Sequence, residues 1–343
     1  MNESDPAPKQ PDTCSTLRSA LVPHVERDDP DEDMEEYLLL LLSDSNLPTG
    51  GFVASSGLES FTQHGYLSNH QHGHTNSSSS GSQSDAKGDV EQGLVEFVKM
   101  SLDNYSKLNG DIVKRAFDAV ETFKSHSDQK GKAKEDPEQR ALEELFRTDR
   151  LCQEMILNKV AKRASIAQGN ALLSLYSRAL APSLSQPDQD LGLARLVEKI
   201  RSEVRKGTEG GWCGHQSTSF GIVMAAVNLS LHRSIHLFLF LHARSILSSA
   251  VRLNVVGPYS AHKLLLWQIR PLVQTATRET LDRLSSSNTT GMDLEEGDWW
   301  DNDEDWAFLK EGQGRTEEPV TTWPIGEIVV GRHDQLFTKV FNS

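Results

Sequence analysis

Cysteine is scarce in this chain of 343 residues, which has only Cys14, Cys152 and Cys213, far apart in sequence. An odd and widely spaced set forms neither a disulfide framework nor a zinc motif, which is typical of a reducing compartment. The acidic start lacks the basic n-region and apolar run of a secretory signal and is unlike a mitochondrial presequence. We therefore expect a cytoplasmic protein.

Long apolar runs and basic clusters are also missing. The longest apolar stretch, 219–231, is shorter than the ~20 residues that a membrane span requires, so we expect no membrane protein. The net charge of −14 is concentrated in residues 1–36 and 293–305, each of which carries a net charge of −8. The rest of the chain is close to neutral, without the basic face of a nucleic-acid-binding protein.

Recognisable catalytic motifs are absent as well. The sequence has no phosphate-binding P-loop, no Gly-x-Gly-x-x-Gly and no His-Glu-x-x-His. Ser55 cannot form a hydrolase nucleophile elbow, because Val53 stands where that motif requires a glycine. We therefore expect a binding protein rather than an enzyme.

The chain contains many apolar residues at helical spacing. It shows no convincing alternation of apolar and polar residues of the kind that marks a strand. We predict an all-α protein, a single domain of about eight to ten helices over residues 34–284. We expect disorder in four polar or acidic segments and a separate C-terminal segment at 322–343. The disordered segments are 1–33, 68–89, 126–137 and 285–321. The predicted helices are 34–43, 89–107, 109–125, 138–181 with a break near Thr148-Asp149, 189–206, 215–230, 232–254 and 260–284 with a kink at Pro271.

Histidines offer possible metal ligands. His70, His72 and His74 form the sequence HQHGH, which could bind Ni²⁺ or Zn²⁺ weakly, although a solvated polar insert is the more frequent role of such a sequence. A metal-storing protein or metal-dependent enzyme built on this loop is one alternative function. His215 stands at a helix start, where we expect a cap or a buried polar group rather than a ligand.

The segment from Ser43 to Glu59 is unusual for its turn. An apolar helix is followed by Pro48, Gly50 and Gly51, which force the chain to turn sharply. We predict a second helix beginning near Ser55 or Ser56, with Glu59 completing a capping box.

At the other end of the chain the set Leu336, Phe337, Val340 and Phe341 has helical spacing. This end either packs back on the body or inserts into a partner groove.

The sequence LLLLLSDSNLPTGGFVASSGLES resembles the N-terminal signature of the UreF family of urease accessory proteins. Matching positions are Ser43, Asp44, Leu47, Pro48, Gly50, Gly51, Phe52, Ser56, Gly57, Leu58 and Glu59. Four weaker blocks follow in the family's order, around Arg163, His215, Arg252 and His333. Departures include Asn254 after Arg-Leu and Lys339-Val340 near the end. The long inserts resemble eukaryotic members of the family.

The resemblance implies an all-α homodimer without catalysis of its own and without a tightly bound cofactor. UreF proteins bridge UreD (called UreH in some bacteria) and the GTPase UreG, and the assembly delivers nickel to the urease apoprotein, so transient Ni²⁺ transfer is implied. The resemblance also implies that the C-terminal segment becomes ordered on UreD/UreH. Carried over, the residues of that contact are Arg332, His333, Leu336, Phe337 and Phe341.

Two further surfaces are expected. The UreG-facing surface, or a polar passage for the metal, would include Ser43, Asp44, Pro48, Gly50, Gly51, Phe52, Glu59, Arg252 and Gly257. The dimer interface would use the apolar helices 215–230 and 232–254, because obligate interfaces are apolar in this way. Its residues would be Phe220, Ile235, Leu239 and Ile246. An alternative function is direct regulation of GTP hydrolysis, with Arg252 as a charge donor to the phosphates.

Overall fold

A computed structural model describes residues 30–44, 47, 51–67, 83–127, 136–181, 191–207, 211–286 and 321–342. These residues form helices and turns, and within these ranges there is no strand. The all-α prediction is confirmed. Most of the four segments expected to be disordered lie outside the described residues.

The helices are numbered in chain order. They are α1 (Pro30–Leu42), α2 (Leu58–Gln63), α3 (Gln83–Ser127), α4 (Pro137–Met155), α5 (Lys159–Leu175), α6 (Leu191–Lys206), α7 (Gln216–Ala226), α8 (Leu231–Arg252), α9 (Pro258–Leu264), α10 (Arg270–Ser286) and α11 (Pro324–Gly331). A π-turn at Tyr176–Leu180 extends α5, and another at Leu265–Ile269 joins α9 to α10. Short 3₁₀ turns lie at Gly51–Val53 and Arg332–Gln335.

The chain divides into two compact units after Leu42. The described part of the first unit is α1, which begins at Pro30 rather than at the predicted residue 34. The second unit, from Ser43 onward, contains all the other helices, including the C-terminal segment that the sequence suggested was separate.

The centre of the second unit is the contact between α3 and α7. Every residue of α7 from Ser217 to Ala225 is buried, so this helix has no solvent face. Gly221 allows the two backbones to approach, because a Cβ at this position would collide with the carbonyl oxygen of Val113 and with Ala116. A continuous apolar surface buried in this way is the main source of stability in a helical domain.

The helix α8 is, within the described part of the chain, the one helix that is long and apolar enough to cross a membrane. More than half of its apolar window is buried against the rest of the protein. It packs against α3 and α10, and core helices of globular proteins have the same composition.

A polar cluster lies between α3 and α8. The Ser101 hydroxyl and the Nε2 atom of His242 are 2.9 Å apart, and the His242 ring stacks on Tyr105 with a centroid distance of 3.8 Å. Burial lowers the pKa of His242 from 6.5 to about 3. This imidazole is therefore neutral at physiological pH.

The predicted boundary at Asn109-Gly110 is wrong, because α3 runs without interruption from Gln83 to Ser127. The Asn109 amide donates to the carbonyl oxygen of Tyr105 one turn earlier, at 3.2 Å, instead of initiating a turn. Gly110 lies against α10, where a Cβ would be 2.7 Å from the Cγ2 atom of Thr280. The glycine thus serves helix packing and does not end the helix.

The predicted break near Thr148-Asp149 is also misplaced. The chain leaves the helix at residues 156–158, and the Asn158 side chain then caps α5 by accepting a hydrogen bond from the Val160 amide at 2.9 Å. Where the sequence predicted a kink at Pro271, the structure has a π-turn that ends at Ile269, just before α10. The helix predicted over 215–230 ends early, at Ala226.

Candidate functional site

The buried carboxylate of Glu59 joins the two ends of the second unit. Glu59 and His333 are both 0% exposed, and His333 donates from Nε2 to the Glu59 Oε2 atom at 3.0 Å. The Val340 amide donates to Oε1 at 2.5 Å and the Phe341 amide to Oε2 at 3.1 Å. Because all three donors come from the C-terminal segment (residues 321–342), this one carboxylate holds the end of the chain in place.

The predicted capping box at Glu59 is therefore wrong. The helix α2 begins at Leu58, after Gly57 in the left-handed conformation, and no side chain caps it. Gly57, with φ of +85°, lies against α11, where a Cβ would be 2.5 Å from the Cγ2 atom of Val330. The glycine thus provides both the turn and the close approach of the C-terminal segment.

Arg252, at the end of α8, makes a second contact between the two ends of the second unit. We call the contacts that Glu59 and Arg252 make with the C-terminal segment the joint. Its guanidinium carbon lies 3.9 Å from the Phe52 ring centroid and 4.2 Å from that of Phe341. It also donates to the Phe52 carbonyl oxygen. Since its guanidinium lies over both aromatic rings, this arginine acts as a cation–π bridge between Phe52 and Phe341.

Polar contacts at the rim complete the joint. Arg163 on α5 forms a bidentate pair with Asp334, with N–O distances of 2.9 and 3.3 Å, and also donates to the Asn342 carbonyl at 3.0 Å. Hydrogen bonding to Arg163 lowers the pKa of the Asp334 carboxyl. The Asn342 amide in turn donates to the Val53 carbonyl at 2.9 Å.

The beginning of the C-terminal segment is anchored on α3. The side-chain oxygen of Asn104 accepts hydrogen bonds from Thr321 and from the Thr322 and Trp323 amides, at 2.8 to 3.2 Å. The Trp323 ring packs edge-on against Phe97 at a centroid distance of 5.2 Å. The segment is thus fixed at both of its ends.

The C-terminal segment also carries large apolar side chains that are exposed. Ile325 and Ile328 on α11 are 59% and 63% exposed, Phe337 is fully exposed, and Val340 is 63% exposed. Phe52, which contacts Arg252, is also 63% exposed. We call Ile325, Ile328, Phe337 and Val340 the outer apolar face. Four large exposed apolar side chains within one short segment make it a candidate interaction site.

The five residues predicted for the UreD/UreH contact divide between the two faces. His333 and Phe341 are buried against the body, Leu336 is half-buried, and Arg332 and Phe337 are exposed. Ile325 and Ile328 were not among the residues predicted for this contact, although their spacing of three on a short helix could have indicated a shared exposed side.

The residues predicted for the UreG-facing surface lie mostly near the same joint. The Ser43 carbonyl accepts a hydrogen bond from Arg244, Asp44 is exposed, and Gly51 begins the 3₁₀ turn that carries Phe52. Gly257 is exposed at the start of α9. Pro48 and Gly50 lie outside the described residues. The structure brings Phe52, Glu59 and Arg252 together through the C-terminal segment.

The residues predicted for the dimer interface are in the core of the single chain, which corrects that assignment. Phe220, Ile235, Leu239 and Ile246 are each 4% exposed or less. Their helices are rich in apolar residues because they pack against other helices of the same chain. A homodimer would have to use another surface.

Of the histidines considered as metal ligands, the structure describes only His215. His215 is buried, with Nδ1 3.1 Å from the Ser165 hydroxyl and Nε2 2.8 Å from the Gln153 side-chain oxygen. Burial lowers the His215 pKa, and the adjacent Asp149 carboxylate accepts the backbone amides of residues 213–215. This is a satisfied structural cluster. His70, His72 and His74 lie outside the described residues, within which there is no group of three metal-ligating side chains.

This chain is similar to known proteins over most of its length. The family model described as UreF matches residues 90–267. Urease accessory protein 6 of Cryptococcus neoformans is 36% identical over 318 residues, which cover 90% of this chain and 97% of that protein. A UreF-like urease accessory protein of Schizosaccharomyces pombe is 26% identical over 91% of this chain and 99% of its own length. Urease accessory protein F of Arabidopsis thaliana is 24% identical over 88% of this chain and 90% of its own length.

The chain is therefore a helical urease accessory protein. It belongs to the UreF family.

Proposed function

We propose that this protein is a non-catalytic scaffold that bridges UreD/UreH and the GTPase UreG during nickel insertion into the urease apoprotein. The observation that carries the proposal is the two-sided C-terminal segment. Its inner face is bound to Glu59, Arg252 and Arg163, and its outer apolar face is left exposed. A pre-ordered segment with an exposed apolar face binds a partner without a large ordering cost.

The outer apolar face is the surface that we assign to UreD/UreH, and the neighbouring Phe52 and Asp44 are assigned to UreG. We also propose that the protein works in the cytoplasm, as a homodimer, and that Ni²⁺ passes transiently without a tightly bound cofactor. Direct regulation of GTP hydrolysis by Arg252 is less well supported, because its guanidinium is already engaged by Phe52 and Phe341.

The test is the nickel content of urease purified from cells that lack this protein, complemented with variants. We expect background nickel without the protein and full loading with the unmodified chain. The variant Phe337→Asp should leave nickel low, since it places a charge on the outer apolar face. Unchanged loading in the complete absence of the protein would contradict the proposed function.

A further inference from the structure

The outer side of α9 and α10 carries large exposed side chains. Tyr259 is 91% exposed, Trp267 70% and Leu266 51%. They alternate at helical spacing with exposed basic residues, so they share one side of the continuous α9–α10 rod. We call this surface the α9–α10 face. It comprises Tyr259, Lys263, Leu266, Trp267, Arg270 and Arg278.

This face has an unbalanced positive charge. Residues 210–278 contain six arginines and lysines and no aspartate or glutamate. Lys263, Arg270 and Arg278 are exposed, and none of them has a carboxylate partner among the residues that the structure describes. An aromatic surface bordered by unpaired bases is suited to an acidic occupant that also carries aromatic rings.

The same chain contains a segment of that composition. Residues 293–306, with the sequence DLEEGDWWDNDEDW, carry eight acids, no base and three tryptophans. The protein thus has an acid-free stretch of 69 residues followed closely by its most acidic stretch. The two are complementary in charge, and tryptophan is the ring that binds cations best.

The positions at which the chain leaves and re-enters the described structure allow the contact. Near the end of α10, Arg283 donates to the Ser106 carbonyl at 3.0 Å, and the chain resumes at Thr321 beside Asn104. Trp267 lies 19 residues before the end of α10, or about 28 Å at the helical rise. Residue 300 is 14 residues beyond that end, a reach of up to about 48 Å when extended.

We propose that residues 293–306 dock on the α9–α10 face of their own chain. Acidic side chains of the segment pair with Lys263, Arg270 and Arg278, and its tryptophans cover Trp267 and Leu266. This inference is independent of the proposed nickel role, since none of its residues belongs to the outer apolar face.

The test is photo-cross-linking in the full-length protein, with benzoylphenylalanine in place of Trp267. We expect an intramolecular cross-link that mass spectrometry maps to residues 293–306. Lys263→Glu combined with Arg270→Glu should reduce its yield by at least about threefold. Replacing all eight acids of the segment by lysine in that double variant should restore it.

The matched control is Arg195→Glu combined with Arg205→Glu, which reverses two exposed charges on α6 and should leave the cross-link unchanged. Raising the ionic strength to about 0.5 M should also reduce the yield, because salt screens exposed charges. Cross-links to a second copy would overturn the proposal in favour of an interface between chains. Cross-links elsewhere in the chain, or a yield that ignores the charge reversals, would also overturn it.

Discussion

Between α3 and α7 the contact is made by small and apolar side chains around Gly221, whereas the C-terminal segment is held by Glu59, Arg252 and Arg163. The first contact excludes water over a whole helix and depends on volume. The second joins two chain ends through a few charged groups and depends on their hydrogen bonds. A change of volume should therefore damage the bundle, and a change of charge should release the segment while the bundle stays folded.

The largest effect should follow Gly221→Val. A branched side chain at this position collides with the α3 backbone, and we expect a loss of about 4 kcal/mol in the free energy of unfolding. Thermal denaturation followed by circular dichroism measures this loss. Gly88→Ala is the control, because Gly88 lies in α3 with open space around it and should be neutral or slightly stabilising.

A smaller and local effect is expected for Glu59→Gln. Removing the charge leaves His333 and two backbone amides without their carboxylate, at a cost of about 3 kcal/mol confined to the joint. Hydrogen exchange in residues 333–342 should accelerate by about a hundredfold, while exchange in α3 and α7 stays slow.

The matched control is Glu138→Gln, which breaks an exposed pair with Lys199 and should alter neither region. If exchange in the C-terminal segment were unaffected by Glu59→Gln, the carboxylate would not be what holds it.

The third effect depends on pH and tests the interior. The pKa of His242 is about 3 in the folded protein and takes its usual value of 6.5 in the unfolded chain. Between these two pH values the unfolded chain therefore binds one more proton than the folded protein. Stability should therefore be fully present above pH 6.5 and fall as the pH decreases toward 3, by up to about 1.4 kcal/mol per pH unit.

Thermal denaturation between pH 8 and pH 4 measures this slope. His242→Phe removes the titrating group, and part of the slope should disappear with it. A slope identical in both proteins would show that other groups control the acid sensitivity.

The helical class and the course of α8 could be predicted because apolar periodicity is a local property. The predicted helix 232–254 begins and ends within two residues of the observed bounds of α8. Local signals failed where distant packing overrode them, as at Asn109-Gly110, where contact with α10 keeps α3 continuous. Local signals failed again at α7 and α8, because the buried faces of these two apolar helices are covered by the same chain.

The site illustrates the same limit. Glu59 had a plausible local role as a helix cap, but its partner His333 is 274 residues away in sequence. No periodicity connects positions so far apart. The resemblance singled out both residues without indicating that they bind each other. The division of the C-terminal segment into a buried and an exposed face also required the structure.

The most direct test of the account is the affinity of purified UreD/UreH for the variant Ile328→Asp combined with Phe337→Asp. Both side chains are exposed, so the protein should keep its melting temperature and its slow exchange in residues 333–342. We expect binding to weaken by at least about a hundredfold, while Tyr259→Asp, an exposed aromatic residue on α9, leaves it unchanged. Unaltered affinity of the folded double variant would contradict the claim that the outer apolar face binds the partner.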